Sequence, residues 1–144
     1  MKRILLLAMA FMFIIPSISF ANDNDKKTIH TWDYIVTEKH TMYYVDVNKD
    51  NILYPQKNMV VFFSKSVDKD RDIQTIVQWA TKVENNKVFS RPELGIIRKI
   101  SSGEKKNINE IGEWKEVGKN SPLMLSMKHL AELYGKKNKE SVNK

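Results

Sequence analysis

Apolar side chains alternate with polar ones early in the chain, which is the period of a strand with one buried face. Two such segments are joined by a short polar connection at residues 38–40, so they predict an antiparallel hairpin. The segments are residues 31–37, with Trp32, Tyr34 and Val36 at alternate positions, and residues 41–48, with Tyr43, Val45 and Val47.

Three further strands are predicted downstream. Residues 58–67 are apolar on both faces and indicate a central strand, whereas Pro55 prevents residues 52–54 from continuing as one. Residues 73–83 fit either a helical face or a strict alternation, and their β-branched side chains favour the strand. After the turn signal Asn85-Asn86, residues 87–100 contain a proline and a glycine and predict a strand that is either broken or bulged near residues 91–95.

The C-terminal part begins with the turn at residues 101–104, a predicted loop at 105–113 and a short strand at 114–117. A helix is then predicted over residues 121–134, with Ser121 as the N-cap, Pro122 in the first turn and Gly135 as the terminating residue. Its apolar face comprises Leu123, Met127, Leu130, Ala131 and Tyr134. We therefore expect an α+β domain, an antiparallel sheet of about five or six strands packed by one C-terminal helix.

The N-terminus predicts export. Lys2 and Arg3 precede the apolar run 4–15, and residues 19–21 form a small-x-small cleavage site, so residues 1–21 indicate a signal peptide. That run is shorter than the ~20 residues that span a bilayer, which argues against a transmembrane anchor. Residues 22–28 are predicted to be a flexible leader. We expect a periplasmic, secreted or cell-surface protein.

The amino-acid composition limits the kinds of site and partner that the protein can have. Cysteine is absent, which excludes disulfides, lipidated cysteines and thiolate sites. The net charge of +7, lowered by two when the signal is removed, favours a solvated basic surface. Export makes nucleic acid an unexpected partner and leaves anionic lipids, wall polymers or acidic host molecules.

The basic tail at residues 136–144 is predicted to be disordered. It either solubilises the chain or steers an acidic partner through Lys136, Lys137 and Lys139.

The sequence contains no hydrolase, phosphate-loop or dinucleotide-binding motif. No two of His30, His40 and His129 have the spacing of metal ligands. We therefore expect no catalytic residue, cofactor or metal. His129 falls on the polar side of the predicted helix and is expected to be solvated. Asp46 is interpreted as a structural group that bonds the loop at residues 49–51.

The alternative is an envelope enzyme or enzyme inhibitor that acts on cell-wall components through Asp33, Asp46 and His40. A deep pocket with convergent polar groups would favour this alternative, and a flat sheet face would favour a binding protein.

Strand alternation assigns most aromatic residues to the core. Met42 and Tyr44 are the exceptions, because they share the face opposite Tyr43; if no helix covers them, they form an apolar patch for a partner.

The order of these signals resembles the surface-adhesin protein E-like domain family of exported bacterial proteins, over roughly residues 29–135. The similarity is a pattern of strand and aromatic positions, and it departs from many members in lacking cysteines. The matching features are Trp32, the run Tyr43-Tyr44-Val45-Asp46, the segment at Ile52, the run 60–63, Val77-Gln78-Trp79, the run 114–117 and Ser121-Pro122. The resemblance implies an antiparallel sheet packed by a C-terminal helix and a non-enzymatic, adhesin-like binding module whose ligand is a protein or an envelope component. The family's named member binds host matrix and plasma proteins.

Overall fold

The computed structural model describes residues 28–140, with side chains as far as residue 135. The predicted signal segment 1–21, most of the predicted leader and residues 141–144 lie outside this range. The described part is an antiparallel sheet with one C-terminal helix, which confirms the predicted α+β class.

Strands and turns follow one another closely, and a 3₁₀ turn at Lys49–Asn51 separates the second strand from the third. The elements are β1 (Trp32–Glu38), β2 (Thr41–Asp46), β3 (Leu53–Gln56), β4 (Met59–Asp68), β5 (Ile73–Glu84), β6 (Lys87–Lys99), β7 (Lys105–Ile108), β8 (Lys115–Glu116) and the helix α1 (Pro122–Glu140).

Six strands form a continuous path in the order β1-β2-β4-β5-β6-β7, and two short strands pair beside it, β3 with β4 and β8 with β6. The path agrees with the predicted size of the sheet, and the two short strands bring the total to eight. β3 contains Pro55 and lies outside the main path, as expected of a segment that lacks one backbone donor.

The β5–β6 hairpin confirms two predictions from the sequence. Residues 73–83 form a strand, and the turn that follows uses Asn85 and Asn86, both with positive φ. These values suit a tight hairpin turn, for which asparagine is tolerant. The register between the strands shifts where Gln78 pairs with Leu94 and Trp79 pairs with Pro92, so β6 is bulged within the predicted range.

The predicted loop at residues 105–113 is wrong for its first part, because residues 105–108 form β7 and pair with β6. The segment has almost no apolar residues and therefore lacks the alternation by which strands are recognised. At the edge of the sheet both faces reach solvent, so backbone pairing with β6 is enough to hold a polar strand. The last predicted strand is shorter than expected and comprises only β8.

The helix begins as predicted. Ser121 Oγ accepts a hydrogen bond from the backbone N–H of Met124 at 3.2 Å, and Pro122 occupies the first turn. The predicted end at Gly135 is wrong, since α1 continues to Glu140, through residues that the sequence analysis assigned to a disordered tail. Lysine and glutamate are good helix formers, and the single glycine costs only ~1 kcal/mol in a helix. No helix among residues 28–140 is long and apolar enough to cross a membrane.

The hydrophobic core lies between α1 and the β1-β2-β4 side of the sheet. It is centred on Val45, Ile52, Phe62 and Leu130, with Phe62 fully buried, and Met127 and Tyr134 pack around these residues. Leu123 also packs there as predicted, whereas Ala131, expected on the same face, is exposed. Phe63, which follows Phe62 in β4, is buried on the opposite face. β4 is therefore covered on both sides at this point, as the sequence predicts for a central strand.

Candidate functional site

The face of the sheet opposite α1, which we call the open face, carries two straight rows of side chains. Residues paired across neighbouring strands point to the same face, so the strand registers define each row. The first row runs through Tyr34, Tyr44, Lys65, Ile76, Ile96 and Asn107. The second row runs through Thr37, Met42, Val67, Gln74, Arg98 and Lys105.

We call these twelve residues the strip. Each row crosses all six strands of the main path, which at about 4.8 Å per strand gives a length of about 24 Å. None of the side chains in the strip is fully buried. The strip is therefore a long, accessible surface on the side of the sheet that the helix leaves free.

Aromatic rings and one lysine form a packed group at the β1–β4 end of the strip. The Lys65 ammonium lies 4.8 Å from the centroid of the Trp32 ring and 4.5 Å from that of Tyr44. Tyr34 meets Tyr44 edge to face at a centroid distance of 5.9 Å. These contacts are attractive because an aromatic face carries partial negative charge. Partial burial among the rings lowers the pKa of Lys65.

Met42 and Tyr44 lie where the sequence analysis placed them, on the face opposite Tyr43 and away from the helix. Both are half-buried, and the Tyr44 hydroxyl donates to Met42 Sδ at 3.7 Å. The assignment of Tyr34 to the core is wrong, since this residue is 57% exposed. A register shift between Tyr34 and Val36 sends the two side chains to opposite faces, and simple alternation does not reveal such a bulge.

The strip carries positive charge and no acidic residue. Its cations are Lys65, Arg98 and Lys105, and none of them forms an ion pair with an Asp or Glu among residues 28–135. Arg98 and Lys105 are cross-strand partners, so two like charges stand side by side. Such an arrangement costs stability and favours an anion. Sequence reasoning missed this pair because β7 was predicted to be a loop.

The other end of the open face differs, because it is covered and its charges are paired. Trp114 lies over this end, with the Lys82 ammonium and the Arg91 guanidinium each 4.7 Å from its ring. Arg91 also donates to Glu93 at 2.7 Å, and Lys82 pairs with Glu84 at 3.0 Å. The exposed and uncompensated part of the open face is thus confined to the strip.

Asp46 holds the chain that enters β1. Its carboxylate is fully buried and accepts hydrogen bonds from the backbone N–H groups of Thr31 (2.9 Å) and Asn48 (3.0 Å). It also accepts from the ring of His30 and from the amide of Asn51, both at 2.6 Å. The predicted bond to the loop at residues 49–51 is confirmed through Asn51.

Two opposing effects act on the pKa of the Asp46 carboxyl. Burial is the largest and raises the pKa, but the hydrogen bonds from His30, Thr31, Asn48 and Asn51 together outweigh it. The pKa is therefore lowered, and the ionised form is the one that the fold stabilises. This geometry identifies Asp46 as a structural anchor with no lone pair directed at a ligand site.

Asp33, Asp46 and His40, the residues of the alternative enzyme hypothesis, are not brought together. Asp33 pairs across strands with Val45 and so faces the helix, whereas Asp46 pairs with Trp32 on the open face. His40 lies in the β1–β2 turn, six residues from Asp46 and about 20 Å away along the strand. It pairs there with Asp70 at 2.9 Å, and both side chains are largely exposed.

The expectation that His129 is solvated is wrong. Its Nε2 atom donates to the carboxylate of Asp33 at 2.8 Å, and the ring is only 31% exposed. The contact ties α1 to β1. Helical phase alone places His129 on the polar side, and only the strand position of Asp33 shows that a partner stands opposite.

Two grooves lie away from the strip. The first has a volume of about 350 Å³ beside the β1–β2 turn, and its walls carry the exposed His40–Asp70 pair. The second has a volume of about 610 Å³ between α1 and β3 and is mostly apolar, with Tyr54, Val60 and Met127 in its walls. Within residues 28–140, no group of three or more His, Asp or Glu side chains is placed to hold a metal ion.

The predicted steering residues Lys136, Lys137 and Lys139 belong to the last turns of α1, beyond the described side chains.

Comparison of the chain with known protein families, with characterised proteins and with solved structures finds no match. The resemblance to the surface-adhesin protein E-like family thus remains a prediction from the pattern of strands and aromatic residues.

Proposed function

We propose that the protein is an exported, non-enzymatic binding module that contacts its ligand through the strip. The observation that carries this proposal is the group of exposed Tyr34 and half-buried Met42, Tyr44 and Lys65 on the face that α1 leaves free. Aromatic and methionine side chains are enriched in binding surfaces. They offer a large contact area at low entropic cost.

The arrangement of the rest of the molecule supports the same proposal. The main buried cluster contains no residue of the strip, because Val45, Ile52, Phe62 and Leu130 lie on the helix side. Side chains that the fold does not need for its core are available for recognition. The separation of Asp33, Asp46 and His40 supports the binding module over the enzyme alternative, which needs these side chains to converge.

Export and an adhesin-like role belong to the proposal as well. The signal-like segment 1–21 would deliver the mature chain to the envelope or the cell surface, where wall polymers and host molecules are the available partners. Lys136, Lys137 and Lys139 would attract an acidic partner over a distance of about one Debye length, ~8 Å at physiological salt. The affinity itself would come from the strip.

The proposal is tested by capture from envelope extract and from host matrix with the mature protein as bait. Tyr34→Ser removes an exposed ring from the strip, and Tyr54→Ser, at a side chain that is 67% exposed beside α1, is the matched control. We expect Tyr34→Ser to abolish capture of the ligand that the unaltered protein retains, and Tyr54→Ser to leave it unchanged. Equal capture by both variants would contradict the proposal, as would loss with Tyr54→Ser alone.

A further inference from the structure

The ligand class can be inferred from the chemistry of the strip, and this inference rests on the proposed function. We propose that the strip binds an acidic polysaccharide, a chain of sugars in which carboxylate or sulfate groups recur. The proposal depends on three properties of the strip: its charge, its mixture of apolar and hydrogen-bonding groups, and its position on a face of the sheet.

Charge is the first property. Lys65, Arg98 and Lys105 are the ionisable groups of the strip that carry charge near neutral pH, and all three are cationic. Lys65 on β4 and Arg98 on β6 are two strands apart and lie in different rows, which together places their backbones about 12 Å apart. This spacing suits a polymer in which acidic and neutral sugars alternate, because its charges recur at about the length of a disaccharide. The adjacent Arg98 and Lys105 would both meet the next acidic group.

The second property is the mixture of surfaces. A sugar ring presents apolar C–H groups on its faces and hydroxyl groups around its rim. For the C–H faces, the strip offers the rings of Tyr34 and Tyr44 and the side chains of Ile76 and Ile96. For the hydroxyl groups, it offers the amides of Gln74 and Asn107. Amides both donate and accept, so they match hydroxyl groups of either orientation.

The third property disfavours a peptide or a bilayer. A sheet binds an extended peptide along an edge, where unpaired backbone groups add hydrogen bonds, whereas the strip runs across the strands and reaches an edge only at β1 and β7. Anchoring in a bilayer needs protruding apolar side chains. Tyr34 is the only residue of the strip among the most exposed large apolar side chains of residues 28–135. The others, such as Ile29, Tyr54 and Ile111, lie elsewhere. A thin ligand that lies along the rows fits these features.

The test uses two neighbouring lysines that project from opposite faces of the same strand. Lys105 pairs with Arg98 on the strip, and Lys106 pairs with Ile97 on the other face; both are exposed. The mature protein is titrated calorimetrically with a hyaluronan oligosaccharide, with a neutral chitin oligosaccharide of the same length, with polyglutamate of the same charge, and with phosphatidylcholine–phosphatidylglycerol vesicles. Each titration is repeated at low and at high salt.

We expect hyaluronan to bind, to bind more weakly at high salt, and to bind about two- to fivefold more weakly after Lys105→Gln, the effect of losing one exposed ion pair. Lys106→Gln should leave the Kd unchanged, and the neutral oligosaccharide should bind at least tenfold more weakly than hyaluronan. Equal affinity for polyglutamate, tighter binding to the vesicles, or equal effects of the two lysine substitutions would overturn the inference.

The two proposals can fail separately. If hyaluronan does not bind but Tyr34→Ser still abolishes capture from the extracts, the strip is a binding surface for another class of ligand and only the inference on sugars is wrong. If Tyr34→Ser also leaves capture unchanged, both proposals are wrong.

Discussion

The two faces of the sheet are built from the same strands but carry different chemistry. On the face against α1, β2 and β4 present Val45 and Phe62, both fully buried, and these pack against Leu130 of the helix. On the open face, the same two strands present Tyr44 and Lys65, which remain half-buried and have no helix above them. The helix side therefore holds the main core, and the strip on the open face carries accessible aromatic and basic groups beside buried residues such as Phe63.

This difference indicates how the strands can serve both purposes. Because side chains alternate between faces, a residue of the core can be next in sequence to a residue of the strip while their side chains lie on opposite sides of the sheet. Substitutions of buried residues are then expected to change stability, and those of exposed residues in the strip to change binding. The predictions that follow test this separation, beginning with the largest effect.

Removal of the Phe62 ring should have the largest effect on stability. Phe62 is fully buried between the sheet and α1, and replacement of a buried phenylalanine by alanine costs about 3–5 kcal/mol in the free energy of unfolding. Tyr34→Ser on the open face should cost no more than about 0.5 kcal/mol. Urea unfolding of both variants gives the comparison, and a similar loss for the two would show that the open face also belongs to the core.

Asp46→Asn should cost about 1–3 kcal/mol, because it removes a buried charge that satisfies several donors. The sign of the pH dependence follows from the lowered pKa. The ionised carboxylate stabilises the fold above its ordinary pKa, near 4, and this contribution is lost as the pH falls through the lower value of the folded state. Melting temperatures of the two proteins should therefore converge in acid, and a constant difference between them would contradict this role.

The contact between His129 and Asp33 should contribute less, since both side chains are partly exposed. A double-mutant cycle with His129→Ala and Asp33→Ala should give a coupling energy of about 0.2–1 kcal/mol. The matched pair His40 and Asp70 is more exposed and should give a smaller coupling. Additive effects at His129 and Asp33 would show that the contact does not hold α1 to β1.

Removal of residues 136–144 should have the smallest effect on stability, within about 0.5 kcal/mol, because no residue of the buried cluster is lost. If the lysines of this segment steer an acidic partner, the truncated protein should associate more slowly at low salt and at the same rate at high salt. Stopped-flow mixing with an acidic surface measures both rates. Equal rates at low salt would assign the segment a purely solubilising role.

The sequence predicted the fold in most respects because the strongest signals are local. Alternation, the Asn85-Asn86 turn and the cap at Ser121 each act within a few residues. β7 was missed because its polar side chains carry no alternation, and only the backbone of β6 makes it a strand. A segment whose structure depends on a distant partner cannot be recognised from its own residues.

The candidate site was predicted in part for the same reason. Met42 and Tyr44 follow from strand phase, whereas Tyr34 was assigned to the core because a bulge reverses the phase within β1. The contribution of Arg98 and Lys105 depends on the pairing of β6 with β7, which local patterns do not contain. His129 was expected in solvent because its partner lies on another element of the fold.

The most direct test of the separation between the two faces is a lysine footprint of the mature protein in the presence and absence of envelope extract and host matrix. Lysines are acetylated briefly, and the modification at each site is read by mass spectrometry. We predict that bound ligand protects Lys65 and Lys105 on the open face and leaves Lys106 and Lys115, which pair with residues of the other face, unchanged. Protection of Lys106 and Lys115, with Lys65 and Lys105 still fully modified, would contradict the account.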